Sequence, residues 1–192
     1  MSKWNDKWLR LDCYHPSLNA LAVSVERFCS RWVYNHRPML LLVLAGDSGT
    51  GKTHSAKAIH RFATAASMSA YDLGHWRNGP PDVSYCAWAE FIDAESSMWE
   101  RQLIETSMAI LDDVGSESDR YRSGASVDRL CRILSARDGK STVITTNLGV
   151  EEWAARDKRV ADRLLRGSDY VKIEGVQSWA LRNKQTKQNG KA

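Results

Sequence analysis

Apolar positions along the chain alternate between two spacings, and the alternation divides it into elements. After Pro16-Ser17, a helix start, Leu18, Leu21, Val25, Phe28 and Trp32 recur at the interval of one helix face. Arg37-Pro38 ends that helix, because the residue before a proline is pushed out of the helical region. Met39 to Ala45 is a continuous apolar run of strand length, the pattern of a strand buried on both faces of a parallel sheet. Glycines follow, and Thr53 to Ala66 has the composition of a helix. Tyr71 to Pro81, with Gly74, Gly79 and Pro80-Pro81, reads as a loop. Val83 to Ala87 predicts a second strand and Ala89 to Ser107 a helix. Met108 to Leu111 is a short apolar strand that ends in Asp112-Asp113. Ser126 to Ala136 places Val127, Leu130, Ile133 and Leu134 on one helix face. Thr142 to Thr146 is a β-branched strand, Glu151 to Leu165 a helix, and Tyr170 to Ile173 a last strand. Strands alternating with helices imply parallel βα units in a three-layer α/β/α sandwich around a central parallel sheet.

Composition narrows the setting without changing this picture. With 192 residues, 43% hydrophobic and 26% charged, the chain is neither disordered nor fibrous and is long enough for one sizeable core. The net charge of +4 is misleading as a guide to partners. Arg182, Lys184, Lys187 and Lys191 lie in the last eleven residues, which carry no acid, so residues 1–181 balance to zero. Bulk positive charge is therefore not how the body of the protein works. The four cysteines, Cys13, Cys29, Cys86 and Cys131, lack the two-residue spacing of a zinc site and form no evident disulfide framework. Met1 to Arg10 is polar, and the longest apolar run has seven residues against the ~20 of a membrane span. The expectation is a cytoplasmic, reduced protein without a membrane partner.

The chemistry begins directly after the first strand. Gly46-Asp47-Ser48-Gly49-Thr50-Gly51-Lys52-Thr53 matches the phosphate-binding pattern G-x-x-x-x-G-K-[ST] in full. Glycines stand where a Cβ would block the backbone N–H groups from a triphosphate or where φ is positive. Lys52 would neutralise the β- and γ-phosphates, the Thr53 hydroxyl would ligate Mg²⁺, and the following helix would point its positive end at the anion. The flanking strand and helix make a chance glycine-rich turn a poor alternative. ATP and Mg²⁺ are the implied ligands.

Such a loop needs a carboxylate on a neighbouring strand. Asp112 has the right place to order the metal's water shell, and Asp113 to polarise an attacking water as general base. Alone, the pair would equally serve as a helix cap or a solvated turn; behind a phosphate loop it argues for hydrolysis. Asn147, after Thr145-Thr146 at the end of the next strand, is a neutral donor able to orient water or contact the γ-phosphate. An Asx-turn is its ordinary alternative. Arg159, Arg163 and Arg166 share one helix face, either as a solvated face paired with Asp162 or Glu152, or as cations that reach a neighbouring subunit's phosphate.

In this order the motifs resemble those of the AAA+ family, specifically the DnaC/IstB-like group of replicative helicase loaders and transposition helper ATPases. Gly51-Lys52-Thr53-His54 is similar to that group's phosphate loop, where His follows Thr, so His54 joins the implied nucleotide residues. Ile110 to Gly115 is similar to its Walker B strand, Thr145-Thr146-Asn147 to its sensor 1, and Arg159 to Leu164 to the box that carries the arginine finger, which falls on Arg163. Gly175 to Ala180 lacks the arginine found where the family often ends Gly-x-Ser-Tyr-Arg. The resemblance implies an AAA+ ATPase domain (38–181) with its helical lid reduced or absent, after the N-terminal segment with its helix (1–37); the basic tail (182–192) reads from its composition as disordered, with salt-sensitive phosphate contact as the alternative. It also implies self-assembly with the finger acting in trans, and single-stranded DNA and a replicative helicase as partners. A transposition helper on duplex DNA, a small P-loop kinase and a nucleotide-gated module that scarcely hydrolyses are the alternatives.

Eight tryptophans are many for this length. Trp32 and Trp88 fit the core pattern, whereas Trp76, beside Arg77 in a loop, is the candidate for stacking on a DNA base.

Overall fold

The computed structural model describes residues 18–34, 41–72, 82–94, 97–117, 124–176 and 178. In chain order the elements are α1 (Asn19–Tyr34), β1 (Leu41–Gly46), α2 (Lys52–Asp72), β2 (Val83–Ala87), α3 (Trp88–Asp93) and α4 (Ser97–Glu105). They continue with β3 (Met108–Val114), α5 (Ala125–Ala136), β4 (Ser141–Thr146), α6 (Val150–Arg156), α7 (Lys158–Leu165) and β5 (Ser168–Ile173). The five strands form one sheet in the order β2-β3-β4-β1-β5, and every pairing is parallel.

The expected three-layer sandwich is what forms, and side-chain alternation along the strands explains it. Leu42 and Leu44 of β1, Met108 and Ile110 of β3 and Val143 of β4 bury against α1 and α2, through Leu21, Val25, Phe28, Ile59 and Phe62. The intervening Val43, Ala109, Leu111 and Ile144 face the opposite core, with Trp88, Phe91, Leu130, Trp153 and Leu164 from the other helices. A strand apolar on both faces is stable only with helices on both sides, so the continuous run in β1 dictates the layering. Trp88 is fully buried and Trp32 packs half-buried against the first core. Trp4, Trp8, Trp76 and Trp179 lie outside the described residues, as do Cys13 and the basic tail.

Four expected elements need correction. The helix expected over 89–107 is two helices: α3 lies on β2 and β3 through Trp88 and Phe91, while α4 docks on α5 through Glu100. One straight helix cannot make both contacts. The helix expected over 151–165 breaks at Asp157, whose backbone is extended (φ −160°, ψ 114°) and whose carboxylate accepts from the N–H of Arg159 at 2.7 Å. Asp157 is thus the N-cap of a second helix. The first phosphate-loop helix runs on to Asp72, since no glycine or proline intervenes before Gly74, so the expected loop over 71–81 starts later; its residues 73–81 lie outside the described ones. β3 extends through both aspartates to Val114.

Arg137 ties the lower edge of the second layer together. Its guanidinium is buried and donates to the carbonyls of Leu103 (2.5 Å), Thr106 (2.9 Å) and Ser141 (2.6 Å) and to Thr142 Oγ1 (2.9 Å). Two of these carbonyls end α4, where the helix dipole is negative, and Lys140 adds a bond to Ile104 O at 2.7 Å. Burial pushes Arg137 down to about 10, with Asp82 acting in the opposite direction. An Arg137→Met chain should lose about 3 kcal/mol of stability in urea unfolding, because the carbonyls are left buried without donors. A loss below about 1 kcal/mol would show that water replaces the guanidinium.

Candidate nucleotide-binding site

The order β3-β4-β1 sets three strand ends side by side, and the carboxyl ends of parallel strands are where such sheets bind ligands. The loop Gly46–Gly51 leaves β1 and enters α2 at Lys52. Gly46 and Gly49 are required by space as well as by dihedral. Gly46 has φ +150°, and a Cβ there would lie 2.5 Å from the carbonyl oxygen of Ile173. Gly49 has φ +78°, and its Cβ would lie 2.3 Å from Ser178 Oγ. The segment after β5 therefore returns across the loop, a contact that no sequence pattern announced. Asp47, Ser48 and Gly49 are exposed, as are Thr53 and His54 on the first turn of α2, whereas Thr50 is buried and donates to Asp47 O at 2.8 Å.

Lys52 is buried, and its ammonium donates to the carbonyls of Gly46 and Asp47, both at 2.7 Å. Two of its three protons hold the loop's own backbone, which leaves one for an anion cradled above. Burial lowers its pKa, and the charges of Asp113, Asp47 and Asp112 oppose that shift, so the site's carboxylates favour the charged lysine.

The acidic strand end is shaped by an irregularity. Leu111 pairs with Ile144 and Val114 with Thr146, so three steps along β3 span two along β4. That is a β-bulge, and Asp113 at its centre has φ +60°, the one positive φ outside glycine among the described residues. The hydroxyl of Thr145 fills the bulge. It accepts the N–H of Asp113 at 2.8 Å and donates its own proton to Asp112 Oδ1 at 2.5 Å. The two carboxylates consequently have different surroundings. Asp112 is buried, with Oδ1 also accepting from Thr53 Oγ1 at 3.2 Å and Oδ2 accepting from Tyr85 OH at 2.5 Å. Asp113 is half-buried and accepts from Asn147 Nδ2 at 3.0 Å.

This donor set fits Mg²⁺. With the Thr53 proton committed to Asp112, the lone pairs of that hydroxyl stay open to a cation beside the loop. Asp112, held by three hydroxyls, is placed to accept from cation-bound waters. Mg²⁺ keeps several waters and needs few protein ligands, so this small donor set suits it.

Lys52, Thr53, Asp112, Asp113 and Asn147 thus converge at one edge of the sheet. Arg163 does not join them. It lines a cleft of about 620 Å³ with Leu41, Lys140 and Thr142, at the starts of β1 and β4. That is about 15–20 Å, one strand length, from the phosphate loop. Arg159 in the same cleft is bound by Asp157 and Asp128, and Arg166 by Asp162. Arg163 donates only to neutral oxygens, Ser135 Oγ at 3.0 Å and Arg159 O at 3.2 Å, and has no carboxylate partner among the described residues. Sequence reasoning missed Tyr85, and it named Thr145 only as part of a strand end. A tyrosine near the end of an otherwise small-residue strand was the one available signal.

The strand order, the loop after β1 and the acidic end of β3 define a P-loop NTPase of AAA+ type. The family model described as IstB-like ATP binding protein matches residues 19–187, and the chain belongs to that family of ATP-binding proteins within the DnaC/IstB-like AAA+ group. No curated protein matches it. Among solved structures, a replication initiator DnaA bound to AMPPCP and single-stranded DNA is similar at 17% identity and TM-score 0.64. That match covers 98% of this chain and 57% of the DnaA chain, so this chain spans little more than half of that relative. DnaI is similar at 19% identity and TM-score 0.62, covering 89% of this chain and 92% of its own. The DnaC helicase loader is similar at 24% identity and TM-score 0.54, covering 85% and 96%. These likenesses establish the fold. Among the described residues no helix is long and apolar enough to cross a membrane.

A Thr145→Val chain keeps the shape of the side chain and removes both bonds at the bulge. It should lose about 1–3 kcal/mol of stability, because the N–H of Asp113 is left without its acceptor, and ATP affinity should weaken in Mg²⁺ more than in EDTA. Unchanged urea unfolding and nucleotide binding would show that the bulge does not depend on this hydroxyl.

Proposed function

We propose that this chain hydrolyses ATP, assembles with copies of itself, and acts in the cytoplasm as a helicase-loader type AAA+ protein on single-stranded DNA with a replicative helicase. The observation that carries the hydrolytic reading is the division of labour at the bulge. Asp112 is tied down by three hydroxyls, while Asp113 faces outward with Asn147 holding one oxygen.

The residues then take distinct parts. The loop N–H groups and Lys52 bind and orient the triphosphate, with Thr53 and Asp112 holding the Mg²⁺. Bound there, Mg²⁺ neutralises charge on the β- and γ-phosphates. Asp113 accepts a proton from a water in line with the γ-phosphorus, the water oxygen bonds to phosphorus, and ADP leaves. Asn147 fixes the direction of the Asp113 carboxylate. Arg163, at the far edge of the sheet and without a carboxylate partner among the described residues, is supplied to the γ-phosphate of the next copy, so turnover depends on assembly.

The helicase as partner rests on the shared fold with a helicase loader. One specific observation favours a second reading. The matching family bears the name of IstB, which points to a transposition helper working on duplex DNA. Capture from a lysate of the source organism with ATP present separates the two: the ring helicase supports the first reading and a transposase the second.

Asp113→Asn should lower the rate of phosphate release at least about 100-fold. ATP affinity should stay within about threefold of the parent, since the lost interaction belongs to the transition state. Phosphate release in water alone, with no acceptor substrate, would also argue against a kinase. Full turnover by the Asp113→Asn chain would remove this residue from the mechanism.

A further inference from the structure

We infer that Tyr85 is a positioning residue for the metal-binding carboxylate, its hydroxyl holding Asp112 Oδ2 from the strand opposite to Thr145. The inference rests on the reading of Asp112 as the carboxylate that orders the Mg²⁺ shell.

β3 lies between β2 and β4, and Asp112 is gripped from both neighbours. Thr145 on β4 donates to Oδ1 and Tyr85 on β2 donates to Oδ2, each at 2.5 Å. The register explains the reach. Ala87 is the residue paired with Asp112, and Tyr85 lies two positions back on the same face, so its long ring projects along the strand to the carboxylate. Bonds to Oδ1 alone, from Thr145 and Thr53, would leave the carboxylate free to pivot about that oxygen. A donor on Oδ2 fixes the plane, and with it the direction of the remaining lone pairs.

Among the described residues the hydroxyl has no other hydrogen-bond partner. The ring packs half-buried against the first core and meets the His60 ring with centroids 5.9 Å apart, contacts that a phenylalanine would keep. A phenol, with an ordinary pKa of about 10, stays protonated throughout the physiological range and so donates to the carboxylate. Outer-shell donors of this kind orient ligands and tune metal affinity, commonly by 10–100-fold.

The test is a titration of Mg²⁺ into the full chain with a fluorescent ATP analogue, with EDTA as the metal-free reference and thermal melting as the check on folding. Tyr85→Phe should need about tenfold more Mg²⁺ than the parent for the half-maximal gain in nucleotide affinity, with affinity in EDTA unchanged. Asp112→Asn should lose the Mg²⁺-dependent gain altogether. A Tyr85→Phe chain that titrates like the parent while Asp112→Asn loses the gain would overturn the role of Tyr85 and leave the site standing. Equal weakening of Tyr85→Phe with and without Mg²⁺ would also overturn it, in favour of a packing role. A parent chain with no gain from Mg²⁺ would overturn the reading of Asp112 and the inference with it.

Discussion

One extra residue in β3 governs the site. Two adjacent aspartates on a regular strand would point to opposite faces of the sheet, and only one could serve the phosphate loop. The bulge between Leu111 and Val114 breaks that alternation and turns Asp113 through a positive φ, so that both carboxylates reach the same edge. The distortion is tolerable because the Thr145 hydroxyl takes the orphaned N–H and returns a proton to Asp112. A hydroxyl that accepts and donates at once is what this geometry requires, and valine or alanine could not supply it. The division between a fixed carboxylate and an outward-facing one follows from this single interaction.

In the proposed mechanism the two ends of the sheet carry complementary halves of the chemistry. The carboxyl ends of β1, β3 and β4 gather Lys52, Thr53, Asp112, Asp113 and Asn147. The opposite end holds a cleft of arginines that are mostly neutralised by Asp128, Asp157 and Asp162, with Arg163 left bound to neutral oxygens. Strand length keeps these ends apart within one copy. Residues 1–181 carry no net charge, so assembly, rather than a basic surface, is the means by which we propose the protein aligns local contacts on DNA.

The phosphate loop was legible because its chemistry is contiguous: eight consecutive residues between a buried strand and a helix. The sheet was legible for a related reason, since runs such as Leu41 to Ala45 admit few other roles. The division of α3 from α4 and the break at Asp157 were not, because Ala89 to Ser107 and Glu151 to Leu165 have largely helical composition. What breaks them is the need to face two different neighbours, which tertiary packing reveals. Asp157 was the missed clue, an N-cap residue in mid-helix. Tyr85 and Thr145 were hidden for another reason. Their partners lie across strands, and a contact set by register between β2, β3 and β4 leaves no trace in any one segment. The same holds for Ser178 above Gly49.

The central claim, that a hydrolysing site is built from Asp113 of one copy and Arg163 of the next, has a direct measurement. Asp113→Asn and Arg163→Ala chains, each inactive alone, are mixed in equal amounts with ATP and Mg²⁺, and phosphate release is followed. In a head-to-tail assembly, about a quarter of random neighbours would pair an intact Asp113 with an intact Arg163. The account predicts that turnover returns to roughly that fraction of the parent rate. A mixture no more active than the separate variants, under conditions where both chains assemble together, would contradict it.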